Sequence, residues 1–268
     1  MTIETKVVGG GAQAVICQLG RDDGMYAEPG RFLWKTVNVA VESRTTRLAH
    51  VGTTAAAASA GPLTSRNRLL HKALATASEM GKRVIPGEGF TLHHFHANGE
   101  GLVAFAAAVP ATLRVLEVDS EHGWFVERDG FVAAESSVDI GLVTASGTEA
   151  RRIALQRFTG TGTVVVAAAG DLLEVNPERY GGILHVDTGA VVAFEDRLAF
   201  TVERVGAAAP SGAGSGAFGS AGVLMATVEG DGQVILQTGK MIGVHALETL
   251  RAAGDDRQRG GLLGGGSD

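Results

Sequence analysis

The sequence predicts an all-β fold, a repeated β-sandwich, and three observations carry that expectation. Glycine is abundant, 39 of 268 residues, while aromatic residues make up only 5%. Short β-branched runs are punctuated by turn residues along most of the chain, the pattern of a sandwich or barrel. The chain also resembles itself in three places, which is the mark of a repeat architecture. Glycine at about twice its usual frequency, without a G-X-Y period, fits many short strands joined by tight turns. Such turns need positive φ, which glycine adopts without steric cost.

The repeat has two alternating pieces. The first is a strand, a glycine-rich turn and a second β-branched strand: Thr91–Ala106, Ala154–Ala168 and Leu224–Thr238. Its pattern is that of a strand hairpin. The second piece turns at a glycine and runs into an apolar strand: Met25–Trp34, Gly123–Glu135 and Gly182–Glu195. A further strand with period-2 alternation follows in two copies, Val37–Glu42 and Leu198–Glu203. Three copies of each piece imply three pseudo-repeats of strand hairpins within one domain spanning residues 1–245.

Two stretches interrupt the pattern. Residues 62–82 predict a short helical insertion, with Ser65 as N-cap, leucine and alanine in the body, and Gly81 and Pro86 ending it. Residues 207–220 are rich in Ala, Gly and Ser and predict a flexible loop. Residues 246–268 read as a short helix followed by a disordered glycine-rich tail. Within the loop, Gly214, Gly216 and Gly219 match the spacing of a dinucleotide fingerprint. Neither a feeding strand nor a following helix accompanies them, so the match has no mechanism.

The formal net charge is −6 with dispersed basic residues, which argues against a nucleic-acid partner. Arg66, Arg68, His71, Lys72, Lys82 and Arg83 give the helical insertion a local positive bias. A solvated helix face accounts for them; a peripheral membrane or acidic protein partner is the functional alternative. Cys17 is the only cysteine, and its apolar setting, Ala14-Val15-Ile16-Cys17, predicts a buried small hydrophobe. No secretion signal and no apolar stretch of membrane-spanning length is evident, so the expected address is the cytoplasm of a bacterium.

Several motifs together resemble a known family. They are Tyr26-Ala27-Glu28-Pro29-Gly30, Gly87-Glu88, Phe158-Thr159-Gly160-Thr161-Gly162, Asp187-Thr188-Gly189 leading to Val192-Ala193-Phe194, and Leu236-Gln237-Thr238. The chain resembles the altered-inheritance-of-mitochondria-24 family over nearly all of residues 5–245. The resemblance implies a β-sandwich similar to the tryptophan RNA-binding attenuation protein, repeated within the chain and assembled into homo-oligomers. For the mitochondrial member it implies a role in inner-membrane organisation. It supplies no catalytic residue set, and RNA binding does not carry over to an acidic chain with few aromatics.

One constellation suggests chemistry. His94-x-His96 followed by Glu100, with His185 downstream, is similar to the metal motifs of cupins, where alternate strand residues share a face. Those four groups would hold a transition metal such as iron, manganese or zinc in a metal-dependent enzyme acting on a small molecule. Against this, His94 and His96 align in the repeat with Arg157 and Thr159, in a piece built like a structural strand and turn. The reading favoured by the sequence is therefore a non-enzymatic, oligomer-forming scaffold or interaction protein without a cofactor.

Overall fold

A computed structural model of the chain describes residues 3–46, 50–53, 90–145, 154–205 and 223–239. The expected helical insertion with its basic residues, the 207–220 loop and the 246–268 tail lie outside these residues. Among the described residues the chain forms twenty strands and three one-turn 3-10 helices. No helix there is long and apolar enough to cross a membrane.

After a leading strand β1 (Glu4–Gly9), the strands fall into three modules of one design. Module 1 comprises β2 (Gln13–Leu19), β3 (Gly24–Ala27), β4 (Phe32–Lys35), β5 (Val39–Thr46), β7 (Phe90–Ala97) and β8 (Gly101–Ala106), with β6 (His50–Thr53) inserted. Module 2 comprises β9 (Ala111–Val118), β10 (Trp124–Glu127), β11 (Phe131–Glu135), β12 (Val138–Thr144), β13 (Ala154–Gly160) and β14 (Gly162–Ala169). Module 3 comprises β15 (Leu172–Val175), β16 (Ile183–Asp187), β17 (Val191–Glu195), β18 (Ala199–Val205), β19 (Val223–Glu229) and β20 (Val234–Gln237). In every module the sixth strand is flanked by the first and third, and the fifth by the second and fourth, all antiparallel.

The strand–glycine–strand pieces stand where the sequence puts them, but they are not the hairpins it predicts: in each copy the two strands lie in different sheets. Strands β13 and β14 do not pair with each other; β13 lies between β10 and β12, and β14 between β9 and β11. The glycine turn thus passes the chain from one sheet to the other. Gly99, Gly160 and Gly230 take φ of 98°, 110° and 119° at these three crossings, a region that L side chains rarely enter. A Cβ on Gly160 would also stand 2.7 Å from the Ser137 carbonyl oxygen.

The third strand of each module carries a register shift against the sixth, at Phe32/Trp34, Phe131/Ala133 and Val191/Ala193. These bulges align the copies residue by residue, so Trp34, Ala133 and Ala193 are equivalent. The approach to each bulge is alike as well. Glu127 and Asp187 cap the 3-10 turns before β11 and β17, each accepting from the backbone N–H two residues on at 2.8 Å.

Neighbouring modules share sheets. Strand β3 pairs with β11, which makes a six-stranded sheet, and β10 pairs with β17, which extends the next sheet to seven strands with β6. A four-stranded sheet (β1, β2, β8, β4) and a three-stranded sheet (β16, β19, β18) stand at the two ends. Three apolar clusters fill the spaces between sheets, and each draws on more than one module. The first joins Cys17, Phe95 and Phe105 to Val132 and Val165. The second centres on Phe131, Phe158 and Val166, and the third on Phe125, Phe194 and Phe200. Cys17 is fully buried, as its apolar setting predicts, and burial pushes its thiol up to about 12.

Candidate functional site

The two internal module junctions have the same construction. At the first, Ala133, Ala134 and Glu135 face Ala27, Tyr26 and Met25 across antiparallel strands. At the second, Ala193, Phe194 and Glu195 face Val126, Phe125 and Trp124. The residue after the third strand then ties back to the glycine before the second. The Ser136 N–H donates to the Gly24 carbonyl at 2.9 Å, and the Asp196 N–H to the Gly123 carbonyl at 3.0 Å. Asp196 adds a carboxylate clamp: it accepts from the Gly123 N–H at 3.1 Å and from Arg157 Nη2 at 2.6 Å. Across the same junction the Phe125 and Phe194 rings lie 5.1 Å apart.

A third junction of this kind would join the third strand of module 1 to the second strand of module 3. Among the described residues neither has such a partner. Strand β4 is the edge of the four-stranded sheet and β16 the edge of the three-stranded one. Their burial differs accordingly. Strand β11 is buried at all five positions and β17 at four, whereas Phe32, Leu33 and Trp34 of β4 are 43%, 51% and 42% exposed. Val37 is 98% exposed, where its register equivalents are the exposed Ser136 and the buried Asp196. Strands β3 and β10 are buried almost throughout, yet Ile183 of β16 is 47% exposed. Large apolar side chains stacked on an open strand edge are what soluble monomers ordinarily avoid.

The histidine strand is β7. His93, on one face, bonds through Nδ1 to Ser43 Oγ at 3.2 Å. His94 and His96 share the other face, their rings stacked at 6.3 Å, with Tyr26 tilted against His94 at 5.9 Å. The Nε2 atoms of both are shielded from solvent and have no hydrogen-bond partner among the described residues. Partial desolvation, then the charges of Arg44 and His96, hold the His94 imidazole below its ordinary value, with Glu42 opposing. Gly24 makes room for this arrangement, since a Cβ there would stand 2.9 Å from His96 Nδ1 and 2.6 Å from Ser136 Oγ.

Of the four residues proposed from sequence as metal ligands, the structure brings His94 and His96 together. Glu100 lies in the turn after β7, where its backbone carbonyl accepts from Asn38 Nδ2. His185 is on β16, in the three-stranded sheet, with Nδ1 3.1 Å from Thr227 Oγ1. Among the described residues no group of three or more His, Cys, Asp or Glu side chains is placed to hold a metal ion. The position of His94 in the repeat is filled by Arg157 in module 2 and Thr227 in module 3. All three side chains face the second strand: His94 packs on Tyr26, Arg157 lies over the Phe125 ring at 5.9 Å, and Thr227 bonds His185.

Sequence reasoning singled out the histidines and passed over β4 and β16. Phe32-Leu33-Trp34 has the composition of a core strand, and only its position beside the bulge, set against Ala133 and Ala193, reveals an unfilled junction.

These features define a protein of tandem β-sandwich modules joined edge to edge, with one junction surface open at each end. The chain belongs to the Mitochondrial biogenesis AIM24 family, whose model matches residues 5–239. Its fold is similar to the crystal structure of the protein SPYM3_0169 from Streptococcus pyogenes, with a TM-score of 0.61 at 16% sequence identity. That match covers 94% of this chain and 97% of the other. At such identity the likeness concerns the fold alone. No curated protein matches the chain.

Proposed function

We propose that this chain is a non-enzymatic, self-associating scaffold whose working unit is a homo-oligomer. One observation carries the reading: positions buried at both internal junctions are exposed where they recur in module 1, as Ala133 and Ala193 against Trp34. Unpaired edges with apolar side chains are stabilised by pairing with a matching edge, and identical chains supply one at fixed stoichiometry. Two other edges follow a different logic. The outer edge of β2 is covered by β1, and that of β12 by β6, while among the described residues β5, β9, β15 and β18 also end their sheets; β4 and β16 differ from these in that their counterparts, β11 and β17 or β3 and β10, are paired across a junction.

Light scattering after size exclusion tests this. The expected result is a mass of more than one chain at micromolar concentration, with Leu33→Glu reducing it toward one chain while circular dichroism keeps its β signature. A wild-type chain that remains monomeric up to about 100 μM, the range in which weak homo-oligomers populate, sinks the proposal.

A further inference from the structure

The two edges left without a junction partner among the described residues, β4 and β16, differ from each other, and the internal junctions show which would meet. In both internal junctions a third strand pairs with a second strand; third strands never pair with third strands, nor second with second. We propose that β4 of one copy adds antiparallel to β16 of the next, so that chains associate head to tail. This rests on the self-association argued above and names its interface, polarity and register.

The register follows from the bulges and the caps. Trp34, Lys35 and Thr36 are equivalent to Ala133, Ala134 and Glu135, and to Ala193, Phe194 and Glu195. Leu184, His185 and Val186 are equivalent to Trp124, Phe125 and Val126, because Asp187 and Glu127 cap the same turn and Leu184 and Trp124 face equivalent residues, Val228 and Phe158. Across the contact Trp34 then faces Val186, Lys35 faces His185 and Thr36 faces Leu184. The Val37 N–H, matching those of Ser136 and Asp196, donates to the Ile183 carbonyl. The exposed Phe32, Leu33 and Trp34 on one copy and Ile183 on the other are covered together. The contact joins a four-stranded to a three-stranded sheet, giving seven strands, the size of the largest sheet within the chain.

A head-to-tail contact is heterologous: the assembly keeps one unpaired β4 at one end and one unpaired β16 at the other until it closes. A back-to-back pairing of two β4 strands would instead be two-fold and stop at a dimer. Cysteine pairs separate the two. Opposed residues in an antiparallel pair have Cα atoms about 4.5–5.5 Å apart, within disulfide reach, whereas a two-residue offset exceeds it. Cys17 is buried and does not compete.

The experiment mixes Lys35→Cys chains with His185→Cys chains, neither of which removes the apolar residues of the edge, and oxidises them mildly. The expected product is a disulfide-linked pair of one chain of each kind, formed roughly tenfold faster than between Val37→Cys and His185→Cys chains. Lys35→Cys alone yields little linked dimer. Rapid linkage of Lys35→Cys to itself, or equal rates for the matched and offset pairs, overturns the head-to-tail register while leaving self-association standing. A monomeric mass by light scattering for the wild-type chain instead removes the reading on which the register rests. A Lys35→Cys, His185→Cys double variant, whose folding is checked by circular dichroism, is expected to give covalent species of more than two chains. A product that stops at two linked chains with one free thiol on each counts against the contact.

Discussion

At the scale of single residues, the module junctions carry ionisable groups in unusual surroundings. Glu127 caps the turn leading into β11, and desolvation, with the charges of Asp129 and Glu28 beside it, pushes its carboxyl up to about 7. Hydrogen bonds from the Asp129 and Gly130 N–H groups pull the other way and do not prevail. Glu28, its counterpart in module 1, is also raised, by burial first, against the lowering charge of Arg31. A carboxyl raised in the folded state makes its contribution below its ordinary value of 4.5 and loses it as pH climbs through about 7. Stability is therefore expected to fall between pH 5 and pH 8 by an amount that Glu127→Gln removes, because the amide keeps an acceptor for the Asp129 N–H and carries no charge. Urea midpoints across that range check it; an unchanged slope in the variant would falsify the assignment. The histidines teach a different lesson at this scale. Their spacing in the sequence resembled a metal motif, and the shared face of His94 and His96 was legible from the period of two. Whether Glu100 and His185 approach them depends on which strands pair across the fold, and spacing carries no such information.

At the scale of elements, strand existence was legible and strand partnership was not. Short apolar and β-branched runs bounded by glycine mark Ala154–Gly160 and Gly162–Ala169 as strands whatever they pair with, the second as a strand buried on both faces. A tight glycine turn between two strands ordinarily closes a hairpin. Here the turn crosses between sheets, and the choice is made by distant partners, β10 and β12 on one side, β9 and β11 on the other. The run Phe131–Glu135 shows the same gap: all five residues are buried because the strand lies between β3 and β14 in a sheet covered on both faces, which a local pattern cannot announce. The crossings themselves make a graded prediction. Gly99 and Gly160 both hold positive φ, yet a Cβ at Gly99 meets open space while one at Gly160 meets the Ser137 carbonyl oxygen. Gly99→Ala should cost only backbone strain, about 1 kcal/mol, and Gly160→Ala about 2–4 kcal/mol, strain plus steric displacement. Denaturant titration of the two variants reads the order directly, and equal losses would show that the crossing at Gly160 relaxes freely.

At the scale of the whole molecule, sharing of sheets between modules decides how the chain unfolds. In many repeat proteins each unit contacts only its neighbours, and stability approaches a sum of local terms. Here a neighbour's strands complete each internal sheet, and every apolar cluster contains side chains from at least two modules. Tyr26 and Leu92 of module 1 pack in one cluster with Val192 and Ile235 of module 3. Removing either end module would strip a partner from β11 or from β10 and open the cluster beneath it. The three modules are thus expected to unfold together. In a Trp34→Phe background, Trp124, 5% exposed and held by a hydrogen bond from its Nε1 to the Glu117 carbonyl at 2.8 Å, is the remaining tryptophan and reports on module 2 by its emission. Far-UV circular dichroism reports on all strands. The two urea transitions should coincide, the signature of a two-state process. Phe194→Ala, which empties a fully buried ring site in module 3 between Phe125 and Phe200, should lower stability by about 3–5 kcal/mol. That loss should move the Trp124 transition as far as the circular dichroism one, although the substitution lies in another module. A Trp124 midpoint that stays put while the dichroism curve splits would mean that the modules are separate cooperative units, and that the shared sheets transmit little of the stability they join.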